Sequence, residues 1–338
     1  MPKRRLSERQ KERIRSIQER RRRHLEERTE RILDELDEHQ PRNGLVVVRH
    51  GANLAVEDER GRVWHCLARQ NIGHPVCGDR VVWQSSGEDR GVVTAILDRT
   101  TLLSRPDYSG HDKPLAANLS QLVVLLAPCP EPSEYLLDQY LAAAELMGFR
   151  PLIVCNKVDL LDDKGLDALR LRLARYLAID YPLVWLSIKQ RGNIALLTER
   201  LARETSILVG QSGVGKSSLV KALLPDRDIQ IGRLSKATGL GRHTTSTATC
   251  YRLPAGGYLI DSPGVRSFRI AVTERAHLEQ GFREIAPLIG RCRFANCRHE
   301  REPGCALEQA VTDGSLHPQR LTNFRHMAAG IDQASPRR

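Results

Sequence analysis

The chain has 338 residues, with 52 Lys and Arg against 41 Asp and Glu, a formal net charge of +11. That length holds two or three domains with cores of their own, and no apolar run reaches membrane-spanning length, so a soluble, cytoplasmic protein without a membrane partner is expected. Eight cysteines in so long a chain do not make a disulfide scaffold, and the positive balance admits a polyanionic partner.

Residues 1–42 form a charged arm, basic at first (Lys3, Arg4, Arg5, then Arg20 to Arg23) and acidic from Glu26 to Glu38. Its apolar stripe is thin, which fits a solvated helix or a disordered segment. Such an arm either neutralises nucleic-acid phosphates or solubilises the chain. Over residues 43–104 the apolar period changes to two. Strands are expected at Leu45–Arg49, Ala52–Glu57, Val63–Ala68, Arg80–Gln84 and Gly91–Leu97. Five short strands predict a small barrel of OB type. A nucleic-acid face on it would need Arg69, Arg80, Arg90 or Trp83, but Trp64 and Trp83 on alternating strands read better as core.

Residues 105–268 alternate strands with helices. Gln121–Leu126 is a continuous apolar run, a strand buried on both faces. Helical periodicity follows at Tyr135–Met147, then a strand at Pro151–Cys155, a helix at Gly165–Leu177 and a strand at Pro182–Leu186. Ile207 to Val209 lead into Gly210-x4-Gly215-Lys216-Ser217, and Leu219 to Leu224 are again helical. This is strand, phosphate loop, helix. Gly210, Gly213 and Gly215 allow a tight turn whose N–H groups face phosphate oxygens, Lys216 reaches the β/γ-phosphates, and the Ser217 hydroxyl suits Mg²⁺. A mostly parallel sheet wrapped by helices is expected, with nucleotide held at the strand C-termini.

Four further pieces belong to this site. Asn156-Lys157-Val158-Asp159 follows a strand, and the Asp159 carboxylate can accept from guanine N1–H and the exocyclic amine, a pair that adenine lacks. Ser187 follows the next strand and can lend a backbone N–H to the guanine oxygen. Asp261-Ser-Pro-Gly264 follows Gly257–Ile260 and offers a metal-side carboxylate and an N–H for the γ-phosphate. In Gly239-Leu-Gly-Arg-His243-Thr244-Thr245, Thr245 is preferred to Thr244 for completing the Mg²⁺ shell. The base-reading motif precedes the phosphate loop, which describes a circular permutation of a GTPase. Val265 stands where a water-orienting glutamine would be useful, so the missing group comes from His243 or from a partner.

The C-terminal segment, residues 269–338, carries Cys292-x4-Cys297-x-His299-x5-Cys305. Three thiolates and an imidazole suit a closed structural zinc site; the bland alternative is a set of buried free thiols. Cys66, Cys77, Cys129, Cys155 and Cys250 are scattered and read as core. Helices are expected at Ala306–Val311 and Leu321–Met327.

The barrel, the permuted motifs and the cysteine-histidine cluster together resemble the bacterial ribosome small-subunit-dependent GTPase A family, over roughly Gly44 to Met327. The resemblance implies an α/β multidomain protein: an N-terminal five-stranded OB-type barrel, a circularly permuted P-loop GTPase domain and a C-terminal helical zinc-binding domain. It implies GTP hydrolysis to GDP, stimulated by the small ribosomal subunit and its rRNA during late maturation of that subunit. Carried over by motif, guanine contacts fall on Asn156, Lys157, Val158 and Asp159. Phosphate and Mg²⁺ contacts fall on Gly210, Gln211, Ser212, Gly213, Val214, Gly215, Lys216, Ser217 and Ser218, and Zn²⁺ ligands on Cys292, Cys297, His299 and Cys305. A monomer is expected. The alternative is an RNA-binding GTP/GDP sensor with negligible hydrolysis.

Overall fold

Period-two alternation builds five strands, β1 (Arg42–His50), β2 (Asn53–Asp58), β3 (Val63–Ala68), β4 (Arg80–Ser85) and β5 (Arg90–Ile96). The structure, a computed structural model, describes residues 40–106, 112–227, 230, 248–261 and 275–334. The arm before residue 40, His243, Thr244, Thr245, Gly264 and Val265 lie outside the described residues. β1 pairs antiparallel with β2 and β4, β2 with β3, and β4 with β5, while β3 runs parallel to β5. These pairings close the ring β1-β2-β3-β5-β4-β1, a barrel without free edges. Its core is Val46, Leu54, Val56, Trp64, Cys66, Val81, Trp83 and Val93. The Trp64 and Trp83 rings lie 4.8 Å apart and both are buried, so neither offers a stacking face to nucleic acid. Arg69, Arg80 and Arg90 are exposed. A two-stranded ribbon, β6 (Leu102–Pro106) and β7 (Asp112–Ala117), follows.

A second unit holds most of the remaining described residues. Its elements are β8 (Gln121–Leu126), α1 (Glu134–Met147), β9 (Arg150–Cys155), α2 (Asp163–Leu177), β10 (Leu183–Trp185), α3 (Ile194–Leu201), β11 (Thr205–Val209), α4 (Lys216–Leu223), β12 (Thr249–Arg252) and β13 (Tyr258–Asp261). The sheet order is β10-β9-β8-β11-β13-β12, parallel from β10 through β13. β8 is buried at every position, as a central parallel strand must be. α1 starts where the Ser133 hydroxyl accepts the Leu136 N–H and stops at Gly148, φ +71°. α2 starts where the Asp162 carboxylate accepts the Gly165 N–H at 2.8 Å. α3 has only eight residues, too few for its periodicity to stand out.

The C-terminal region adds α5 (Arg275–Gln280), α6 (Ala306–Thr312) and α7 (Pro318–Ala334). Leu278, Phe282, Leu307, Leu321 and Phe324 form its core, and Ala142 of α1 belongs to the same cluster. Cys66, Cys77, Cys155 and Cys250 are buried as expected. Cys129 is exposed instead, because it sits in the proline-rich turn after β8.

Candidate nucleotide and metal sites

Four strand C-termini converge. β9 delivers Asn156 to Asp159, β10 delivers Ser187, β11 delivers the loop Gly210 to Gly215, and β13 ends on Asp261. This is where open parallel sheets bind ligands. The base-reading and phosphate-holding loops are tied together directly. Asn156, 2% exposed, donates Nδ2 to the Val214 carbonyl at 2.9 Å. Lys157 donates Nζ to the Gly213 carbonyl at 2.7 Å and to the Cys129 carbonyl at 3.0 Å. The motif turns through Lys157, whose backbone is left-handed at φ +62°.

Ser187 meets Asp159 through its side chain. Its hydroxyl donates to Asp159 Oδ1 at 2.6 Å, while its own N–H points to the Gly192 carbonyl at 3.4 Å. The neighbouring Ile188 brings its N–H to Asn156 Oδ1, 3.4 Å away. The Ser187 hydroxyl thus fixes the orientation of the Asp159 carboxylate at the strand ends.

In the phosphate loop, two glycines are required by close approach. A Cβ on Gly210 (φ +138°) would lie 2.2 Å from the Leu125 carbonyl oxygen, and one on Gly215 (φ +103°) 2.4 Å from Asn156 Nδ2. Gly215 caps α4, so the helix opens on Lys216, Ser217 and Ser218 with its positive end toward the loop. Lys216 donates Nζ to the Gly210 and Gln211 carbonyls at 2.7 and 2.6 Å. Ser212, Ser217 and Ser218 are exposed and Val214 is buried. Asp261 pairs with Arg227 at 2.6 Å; Arg227 also lies over the Tyr251 ring. Nothing in the local sequence marks Arg227 as a neighbour of this carboxylate.

Cys292, Cys297, His299 and Cys305 meet with their ligand atoms all within 4.8 Å of one another. His299 Nδ1 stands 3.5, 3.7 and 3.5 Å from the Cys292, Cys297 and Cys305 sulfurs. A tetrahedron with Zn–S near 2.3 Å and Zn–N near 2.0 Å has N···S edges of about 3.5 Å, so these residues fit a zinc ion. Glu279 Oε1 lies 3.2 Å from His299 Nε2. That contact puts the imidazole proton on Nε2 and leaves the Nδ1 lone pair for the metal. The Ala306 N–H donates to Cys292 Sγ at 3.2 Å and the His299 N–H to Cys297 Sγ at 3.4 Å, which steadies thiolates. Glu279 is also absent from the motif spacing.

A parallel sheet whose strand ends gather a phosphate loop, a guanine-type Asn-Lys-x-Asp and its aligning serine defines a GTPase-type nucleotide-binding protein. Here the base-reading loop comes first in the chain. The description "RsgA GTPase" belongs to the family model that matches residues 96–271. The chain belongs to that family. It is 46% identical over 299 residues to the small ribosomal subunit biogenesis GTPase RsgA of Azotobacter vinelandii, covering 86% of each chain. It is 45% identical to the protein of the same name in Ectopseudomonas mendocina, again over 86% of each. Among solved structures it resembles YjeQ from Thermotoga maritima (TM-score 0.73, 32% identity, 88% of this chain and 100% of the other). It also resembles YloQ, described as a circularly permuted GTPase (TM-score 0.72, 28% identity, 89% and 98%). The fold is thus the barrel, the permuted GTPase domain and the helical C-terminal region with its Cys₃His cluster.

Proposed function

We propose that this protein binds and hydrolyses GTP in the cytoplasm and that it works on the small ribosomal subunit during its maturation, as the names of its relatives indicate for them. The observation that carries this reading is the Ser187–Asp159 bond at 2.6 Å, a carboxylate aligned for guanine beside a phosphate loop. Asp159 accepts from guanine N1–H and the exocyclic amine. The loop N–H groups and the start of α4 hold the phosphates, and Lys216 leaves its loop carbonyls to neutralise them. Ser217 and Thr245 would hold Mg²⁺, with Asp261 on the metal side, and the ion would neutralise charge developing on the phosphates. Asp261 binds on that side once Arg227 releases it. The Gly264 N–H meets the γ-phosphate. Val265 can neither orient nor deprotonate water, so His243 or the docked subunit positions the nucleophile, and turnover without the subunit is slow. Cys292, Cys297, His299 and Cys305 would hold one Zn²⁺, which would brace the C-terminal region without taking part in the chemistry. The net charge of +11 and the exposed barrel arginines suit rRNA, and the protein works as a monomer.

The test is a GTPase assay titrated separately with isolated small and large subunits. Stimulation by small subunits alone is expected. Equal rates with both, or competition of ATP with GTP at equal concentration, would overturn the reading.

A further inference from the structure

The most heavily buried charges in the described residues have no part in the chemistry above. Asp138 of α1 is fully buried. It accepts from Arg320 Nη1 at 2.7 Å, Asn323 Nδ2 at 2.6 Å and the Tyr176 hydroxyl at 2.8 Å. Arg320, 1% exposed, donates through Nε and Nη2 to both oxygens of Glu284, at 2.6 and 2.9 Å. Further along α1, Glu145 accepts from Arg283 at 2.7 Å. The backbone of Gly281 lies so close that a Cβ there would be 3.0 Å from the Ala142 carbonyl oxygen. One side of α1 is thus bolted to the region that carries the cysteine-histidine cluster.

The same helix also touches the phosphate loop. The Ser133 N–H, at its N-terminus, donates to Gln211 Oε1 at 3.3 Å. Tyr140, 4% exposed, has its hydroxyl oxygen on the backbone of Gly210, the first loop glycine. Asp138 and Tyr140 are two residues apart on one rigid helix of 14 residues, about 20 Å long. A displacement of α7 large enough to disturb Asp138 cannot leave Tyr140 in place. Buried ion sets tolerate little sliding, since each uncompensated charge is costly.

We propose that Tyr140 and Ser133 are positioning residues for the phosphate loop, and that α1 links them to the zinc-bearing C-terminal region through Asp138, Arg320 and Asn323. Contact made on that region therefore changes how the loop holds nucleotide, and bound nucleotide changes the C-terminal region by the same factor. The proposal rests on the guanine-nucleotide reading above.

The test is a double-mutant cycle on the full chain, with the dissociation rate of a fluorescent GDP as the readout. Tyr140→Phe removes only the hydroxyl, and Asn323→Ala removes one of three donors to Asp138. Each is expected to speed release about 3–10-fold. Distant sites without shared partners add, so independence predicts that the double variant shows the product of the two factors. The link predicts a double variant no faster than the faster single one. Arg283→Ala, which removes the partly exposed partner of Glu145 on α1, serves as a second partner if Asn323→Ala lowers the unfolding temperature or the zinc content. The reciprocal readout is hydrogen exchange of the α7 amides, expected to slow when GDP binds. Multiplicative effects, or GDP binding without any change in α7 exchange, would overturn the link and leave the functional reading intact. Failure to bind GDP at all would overturn the functional reading itself.

Discussion

Ser187→Ala separates two ways in which this residue can serve guanine. If its backbone N–H met the base, alanine would keep that donor and nucleotide affinity would not change. In the structure the N–H points to Gly192 and the hydroxyl donates to Asp159 at 2.6 Å. The same oxygen accepts the Gln190 N–H at 3.1 Å, so the hydroxyl is held with its proton directed at the carboxylate. A hydrogen bond to a charged group contributes about 1.5–3 kcal/mol. Asp159 is only partly buried and water can replace some of the loss, so the low end applies. About 1.5 kcal/mol corresponds to GTP and GDP binding about tenfold weaker. The carboxylate remains, so the preference over adenine nucleotides should persist, and threonine should restore affinity if its methyl is accommodated. Titration of fluorescent GDP, with unlabelled GTP and ATP as competitors, reads both quantities. Unchanged affinity in Ser187→Ala would refute the alignment role and return the backbone N–H to consideration.

The metal cluster makes its own prediction. Glu279→Ala should weaken zinc binding about 10–100-fold against a chelator, because nothing then fixes the His299 tautomer, while Glu279→Gln keeps a neutral acceptor and should recover part of it. Arg227→Ala should lower the Mg²⁺ concentration needed for tight GDP binding by up to about fivefold, since it frees Asp261 from a partly exposed pair worth about 1 kcal/mol; an unchanged Mg²⁺ midpoint would show that the pair does not compete with the ion. In the barrel, desolvation raises the Asp58 carboxyl, but the Trp64 indole and the Arg62 and Arg60 N–H groups outweigh it and hold Asp58 below its ordinary value. A depressed carboxylate stabilises the fold above the unfolded value, near pH 4, and the contribution disappears as pH falls through the lower, folded value. Asp58→Asn should therefore lower stability at pH 7, and the loss should shrink as pH falls below the unfolded value, followed by tryptophan fluorescence; a loss that does not change with pH would refute it.

What the sequence made legible was chemistry confined to one short stretch. A phosphate loop needs Gly210 and Gly215 because the backbone passes within Cβ distance of Leu125 and Asn156, and that need is written as glycine in the chain itself. β8 could be read because a strand buried on both faces has no polar alternation to hide it. The candidate zinc ligands could be read because all four fall within fourteen residues. Ser187 is legible as a position, but which of its groups serves the site is not. Whether its N–H or its hydroxyl faces the site depends on the turn that returns to Gly192, and no residue pattern specifies that turn.

The features that escaped are those whose partners are distant along the chain. Arg320 and Asp138 are 182 residues apart, and Arg227 and Asp261 are 34 apart. An arginine in α7 has no local signature that separates a buried partner from a solvated one, since Arg325 on the same helix keeps a side chain that is 28% exposed. The difference is made by tertiary placement: α7 packs on α1, whose buried face carries one carboxylate among alanines and leucines. A lone aspartate there is unfavourable unless the incoming helix brings donors, and Arg320 and Asn323, three residues apart on one helix face, bring them together. That arrangement makes the docking of α7 specific, because sliding it by one turn would strand Asp138 without its guanidinium. The C-terminal region is therefore held in one register against the helix that braces the phosphate loop, and this fixed register allows a force on one to be felt by the other.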